Sequence, residues 1–263
     1  MAPGSVFTTG TARRGCGIDA IVDNGRVDHT DDPLHWLEEE HHQPSGNRVR
    51  FQQKLAACDR ELVDVAVLVR DAITPVTTAF LQADTHITDQ AIAADAEVDR
   101  RCVRLEDACY ALLAQESPVA GDLRRVVAVL HSVQDVQRSG ALLRHIAESL
   151  RWVHPPSMPE ELRTLIAQLG EVCEDIFSAG IDAWLRHDPL AANDLDRRDD
   201  QVDLLQKVML TELYTGAPSV EESVSLALIA RYYERIADHG VELARQVAYF
   251  LTGERVTGRP AST

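Results

Sequence analysis

The motif Asp-x-x-Val-Asp occurs twice, at residues 95–99 and 199–203, and each copy sits at a matching place in a run of helical pattern. Laying the chain on itself at an offset of 104 pairs Leu81 with Leu185 and Asp84 with Asp188, and it pairs Asp95, Val98 and Asp99 with Asp199, Val202 and Asp203. Further along, the offset becomes 97, which pairs Arg138 with Arg235 and Ala147 with Ala244. The change of seven residues is about two helical turns, so inward-facing positions keep their phase. Self-similarity at a fixed period marks duplicated structural units. A chain of this kind must fold as two like modules.

Each module reads as three helices. Ala, Leu, Val, Asp, Glu and Arg dominate and aromatic residues make up only 5%, a mixture that enters helices at little entropic cost. Turn residues fall at 82–84, 115–118, 154–159, 186–189 and 215–219, which divides the chain into helices over about 48–82, 85–115, 118–153, 158–186, 189–214 and 219–252. Ser117–Pro118 and Asp188–Pro189 offer an N-cap followed by proline at the first helical position. Ser157 with Glu160, and Ser219 with Glu222, have the spacing of capping boxes. Pro75 lies inside the first helix and is expected to kink it. The third helix of each module carries an apolar seam: Val119, Leu123, Val126, Leu130, Val133, Gly140, Ala147 and Leu150 in one, and Ala230, Ala237, Val241, Ala244 and Ala248 in the other. Such seams bury themselves only against neighbouring helices. The expected fold is all-α, two tandem three-helix bundles, with the first repeat over 48–153 and the second over 154–253. Residues 1–47 lack helical periodicity and read as a disordered extension, and 254–263 read as a tail.

Several function classes are excluded or disfavoured. No apolar run approaches the ~20 residues that span a bilayer, and the first residues lack the apolar core of a secretory signal, so a cytoplasmic protein is expected. A formal net charge of −16 repels phosphate backbones, and no basic patch offsets it, so nucleic acid is not an expected partner. Cations and basic protein surfaces suit the charge better. Cys16, Cys58, Cys102, Cys109 and Cys173 are scattered and never form a CxxC motif, which argues against a disulfide framework or a thiolate zinc site; small buried hydrophobes is the plainer reading. Glu-x-x-His, needed by di-iron oxidases on two facing helices, occurs only as Glu38–His41 and Glu39–His42, in the extension. His145 and His239 have no glutamate three residues before them and read as bundle-edge residues. No nucleophile motif or phosphate loop is present. The chain is expected not to be an enzyme.

The informative residues are acids four apart. Asp199 with Asp203, and Glu234 with Asp238, each stack on one helix face, a like-charge contact that costs an isolated helix about 0.2–0.5 kcal/mol. Asp199 falls between Leu195 and Val202, and Glu234 between Ala230 and Ala237, so both point toward a seam where bare carboxylates are poorly hydrated. Two explanations stand side by side. Arg198, Arg231 or Arg235 could neutralise the acids in a salt-bridge cluster, or four carboxylates from two helices could hold a hard or borderline cation such as magnesium, manganese, iron or zinc. In the first repeat, Asp95 and Asp99 persist, but Gln137 and Ala141 replace the second pair, so a cation there is expected to bind more weakly or not at all.

These residues resemble the PhoU family. LLAQESPVAGDLRRVVAVL at 112–130 resembles its turn between second and third helices, YYERIADHGVELA at 232–244 resembles its second-repeat signature, and the repeated Asp-x-x-Val-Asp is similar too. The resemblance covers about 49–253. It implies a phosphate-transport accessory protein that negatively regulates phosphate uptake and the phosphate-starvation regulon. The implied partners are the ATPase subunit of the phosphate ABC transporter, a phosphate-sensing histidine kinase and a second copy of the chain as a homodimer, with only peripheral contact to the membrane complex. It also implies divalent, iron or zinc cations on Asp199, Asp203, Glu234 and Asp238, with Asp95 and Asp99 as a partial first site. The departure at VQRSGALLRHIA (136–147), together with an Arg- and Ala-rich composition, resembles actinobacterial members. A metal-handling or redox helical bundle is the alternative function.

Overall fold

A computed structural model describes residues 46–216 and 219–256. Most of the expected extension and tail, with Cys16, His41 and His42, lies outside the described residues. Six long helices follow one another: α1 Gly46–Leu81, α2 His86–Glu116, α3 Ala120–Glu148, α4 Glu160–Arg186, α5 Ala191–Thr215 and α6 Val220–Thr252. No strand occurs among the described residues.

Helix α1 forms because Leu55, Cys58, Leu62, Val65, Val69, Ile73, Val76 and Phe80 recur every three or four residues and are all buried. Each such aliphatic side chain contributes about 1.5–3 kcal/mol on leaving water. Pro75 lies within α1 without ending it. The outer helices show the duplication most plainly. Ala91, Val98, Leu105 and Leu112 on α2, and Leu195, Val202 and Met209 on α5, form buried stripes seven residues apart, the signature of a helix covered on one side.

The turns repeat as well. Ala83 at φ 56° ends α1 and His187 at φ 52° ends α4. In each case the next residue is an aspartate whose carboxylate accepts the backbone N–H two residues on: Asp84 from His86 at 3.0 Å, and Asp188 from Leu190 at 2.9 Å. Three of the four expected start signals fail: Asp188 accepts from Leu190, but Leu190 is the N-cap of α5, so Pro189 lies before the helix and not at its first position. Ser117 is left-handed at φ 44° and ends α2, while Val119 is extended, so α3 starts at Ala120 and Ser117–Pro118 does not cap it. Val119 and Leu123 consequently sit exposed at the mouth of α3 rather than in its seam. Ser157 closes a short 3-10 turn, Pro155–Ser157, by donating its hydroxyl to the His154 carbonyl, which leaves Pro159 at the N-cap of α4 with no capping box. The 3-10 turns Ser149–Arg151 and Pro155–Ser157 also shorten α3 from the expected 153 to 148. At α6 the box is present, with Ser219 and Glu222 satisfying each other's backbone N–H.

Helices α1, α2 and α3 pack mutually as one bundle, and α4, α5 and α6 as the other; α1 also packs on α4, and α3 on α6. The four helices α1, α3, α4 and α6 therefore share a core, and α2 and α5 flank it. The tightest crossing lies between α4 and α6, where a Cβ on Gly180 would fall 2.2 Å from the Gly240 carbonyl oxygen, and one on Gly240 would fall 2.8 Å from the Phe177 Cα. Nearby, the Tyr233 hydroxyl, fully buried, meets the Thr77 hydroxyl at 2.6 Å and ties α6 to α1.

Candidate cation site

Helix α5 carries Asp199 and Asp203, and its partner α6 carries Glu234 and Asp238. The buried stripe through Leu195, Val202 and Met209 sets α5 against α6, and with it turns Asp199 and Asp203 half inward; Glu234, one residue after the buried Tyr233, is itself buried. All four acids lie within electrostatic reach of one another. Burial first, and then the charges of Asp238, Asp203 and Glu234, push the Asp199 carboxyl up to about 7. Burial and Asp238 push Glu234 up to about 7, against the opposing pull of Arg231 and Arg235. Burial also raises Asp238, which Arg231, Arg235 and Arg245 partly offset. Arginine is present but does not satisfy the cluster. Arg231 donates to Glu234 Oε1, and Arg245 turns away to Asp196 at 2.6 Å and Glu242 at 3.4 Å. Asp199 Oδ1 and Glu234 Oε2 remain buried with no hydrogen-bond partner.

Two orphaned carboxylate oxygens beside two further acids are the donor chemistry of a hard cation. Among the described residues, however, no three His, Cys, Asp or Glu side chains converge closely enough to hold one ion. The acids share a face without meeting at a point, so chelation by all four requires side-chain rotation. The donor set fits a cation in type.

The first repeat is different. Arg144, on α3, donates from Nε to Asp95 Oδ2 at 2.8 Å and from Nη1 to Glu148 at 3.0 Å. Gln137 donates to Asp99 Oδ1 at 2.7 Å. A guanidinium and an amide therefore occupy Asp95 and Asp99, and Ala141 offers no oxygen. Each contact engages one oxygen, Asp95 Oδ1 stays buried without a partner, and the first repeat offers a cation two carboxylates at these positions rather than four. At the matching position of the second repeat stands Val241, so no guanidinium reaches Asp199 from that point.

The histidines also depart from expectation. His145 does lie at an edge, against Glu148 and over the Tyr232 ring. His239 does not. It is buried in the α3–α6 seam, its Nδ1 2.8 Å from the Ser139 hydroxyl and its Nε2 3.9 Å from Asp135. Burial holds His239 down to about 4 and raises Asp135 to about 6. A second buried polar group went unnoticed in the pattern: Asp59 pairs with Arg125 at 2.6 Å, and Arg125 lies over the Phe250 ring beside His187. Asp59 follows Leu55 by four and precedes Leu62 by three, so an acid in the apolar stripe was its available signal.

Comparisons with known proteins agree with this architecture. The chain matches the PhoU domain twice, at residues 62–150 and 166–247. It is 34% identical over 209 residues, 78% of this chain and 98% of the relative, to the phosphate-specific transport system accessory protein PhoU homolog 2 of Mycobacterium tuberculosis. It is 32% identical over 219 residues, 82% of this chain and 99% of the relative, to homolog 1 of that organism. Among solved structures, the phosphate transport system regulatory protein PhoU from Streptococcus pneumoniae superposes with a TM-score of 0.72 at 22% identity, over 79% of this chain and 99% of that one. PhoU from Pseudomonas aeruginosa gives 0.72 at 23%, over 78% and 100%. Two domain matches that fall on the two bundles, and relatives covered almost end to end, carry one conclusion: this chain belongs to the PhoU domain family.

Proposed function

We propose that the chain is a non-enzymatic accessory protein of a phosphate-specific transport system, which turns down phosphate uptake and keeps the phosphate-starvation genes silent when phosphate is plentiful. The observation that carries this reading is the near-complete coverage of the mycobacterial accessory proteins at about one-third identity. It acts by contact with the transporter's ATPase subunit and with a sensor kinase, as a homodimer, on the cytoplasmic side of the membrane. No helix among the described residues is long and apolar enough to cross a membrane, which suits a protein that meets a membrane complex from outside the bilayer. Strong net negative charge favours basic surfaces on those partners.

In the second repeat, Asp199, Asp203, Glu234 and Asp238 would hold a divalent or iron-type cation. The ion would supply the positive charge that Arg231 and Arg245 leave missing, and it would lock α5 to α6. A metal-handling or redox role is the second reading, favoured by the two orphaned carboxylate oxygens alone.

Deletion of the gene tests the regulatory role. Alkaline phosphatase made constitutively in phosphate-rich medium, and restored to silence by the wild-type gene, is the expected result. Unchanged low expression in a strain lacking every paralogue would overturn it.

A further inference from the structure

Where α3 finishes and α6 begins, the molecule carries an apolar surface that neither the cation site nor the shared core uses. Trp152 follows the 3-10 turn Ser149–Arg151, and its backbone N–H donates to the Ser149 carbonyl at 2.9 Å, yet the residue is 66% exposed. On α6, Val220, Val224 and Leu228 stand four residues apart and are 77%, 55% and 45% exposed. Tyr232 continues the stripe, half-buried, with its ring over His145 of α3. These five side chains line one groove of about 440 Å³ between the two helix ends. Glu148 and Glu221 also line it, opposed by Arg151, and Glu222 lies next to Glu221 in the first turn of α6.

Size and charge select the occupant. From Val220 to Tyr232 the stripe runs about 18 Å, a little over three helical turns, the length over which an amphipathic helix lays down its own i, i+4 and i+7 anchors. Its exposed apolar area is on the order of 400 Å², with an aromatic side chain counted at about 150–250 Å² and the aliphatic ones at less, a size that marks interaction surfaces. An obligate dimer buries about 1,000 Å² or more on each copy, about 65% of it apolar, which this stripe does not supply. Two copies of a chain with net charge −16 also repel each other, whereas the same charge draws in a basic partner.

We propose that this groove docks a cationic amphipathic helix of the transporter's ATPase subunit, with Trp152 as its central anchor. The assignment rests on the accessory-protein reading above and adds the surface through which that contact is made. Apolar side chains of the partner helix cover Val224 and Leu228, its Lys or Arg residues lie beside Glu221, and the Trp152 indole leaves water.

The purified ATPase subunit is titrated against the immobilised full chain by biolayer interferometry, with Trp152→Ala, Val224→Asp and Tyr110→Ala beside wild type. Tyr110 is exposed on α2 and lines none of the described grooves. The expected result is a weakening on the order of tenfold or more for Trp152→Ala and for Val224→Asp, and a change within about twofold for Tyr110→Ala. Association of wild type should slow as salt rises from about 50 to about 300 mM. Helical circular dichroism should hold, because both side chains project into solvent; should Val224→Asp lose it, Trp152→Ala decides the matter alone. Wild-type affinity that survives both changes overturns the docking surface and leaves the accessory-protein reading standing. Binding indifferent to salt overturns the cationic partner. Concentration-dependent dimers in sedimentation velocity that both changes abolish would give the surface to a second copy and overturn the proposal as well. Absence of any binding by wild type defeats it too, while the gene deletion above judges the regulatory reading separately.

Discussion

Glu234 and Asp199 show how burial converts ordinary acids into groups that resist ionisation. Their carboxyls titrate near 7 in the fold, against ordinary values of 4.5 and 3.8. Folding therefore favours the protonated forms, so the cost is absent below about pH 4 and fully present above about pH 7. Cation-free protein is expected to lose stability as pH rises through that window. Asp199→Asn with Glu234→Gln should flatten the slope and stabilise the protein at pH 8 by on the order of 1–2 kcal/mol, well under the full shift because solvent reaching Asp199 and Asp203 screens the cluster. Urea titrations at several pH values in a chelator read the effect, and an unchanged slope would show that these acids are not strained. The four-residue spacing revealed the pairs in the sequence. It could not reveal that Arg245 prefers Asp196, since that choice depends on which helix faces which.

At the scale of helices, three positions separate the two carboxylate clusters: 137, 141 and 144. Arg144 fills the place in α3 that Val241 takes in α6, and its guanidinium reaches Asp95 Oδ2 where nothing from Val241 can reach Asp199. Restoring the donor set with Gln137→Glu, Ala141→Asp and Arg144→Val is expected to give the first repeat a second bound cation. Isothermal titration with manganese should then show about one additional site per chain, following the ligand-type rules for hard cations. The sequence disclosed the missing acids at 137 and 141 because duplication supplied a template. Arg144 escaped notice because its role appears only once α2 and α3 are docked. Helix boundaries failed for a related reason: Ser117 and Ser157 have the right local chemistry for caps, but left-handed backbone at Ser117 and a 3-10 turn at Ser157 use them otherwise. The α4–α6 crossing makes its own prediction. Gly240→Ala would press a methyl group onto the Phe177 backbone, and it should cost at least the ~1–3 kcal/mol of ordinary overpacking, measured as a fall in urea midpoint with unchanged helical circular dichroism in the folded baseline.

On the scale of the molecule, duplication set the plan, and the seams of α3 and α6 implied burial against neighbouring helices before any coordinates. What periodicity left open was how the bundles meet. The buried group of Asp59, Arg125 and His187, and the seam of Asp135, Ser139 and His239, lie where α1 and α3 pack on α4 and α6. Their partners are about 60 to 100 residues apart in the chain, beyond the reach of any local pattern. The fold repeats, yet the two carboxylate clusters diverge in chemistry: one meets an arginine and a glutamine, and the other gathers four acids at which we propose a cation. Elemental analysis of purified protein after equilibration with manganese, iron or zinc tests this asymmetry most directly. The account predicts bound metal in the wild type, its loss in Glu234→Ala with Asp238→Ala, and its retention in Asp95→Ala with Asp99→Ala. Equal metal content in all three proteins, or loss on changing the first-repeat pair alone, would contradict it.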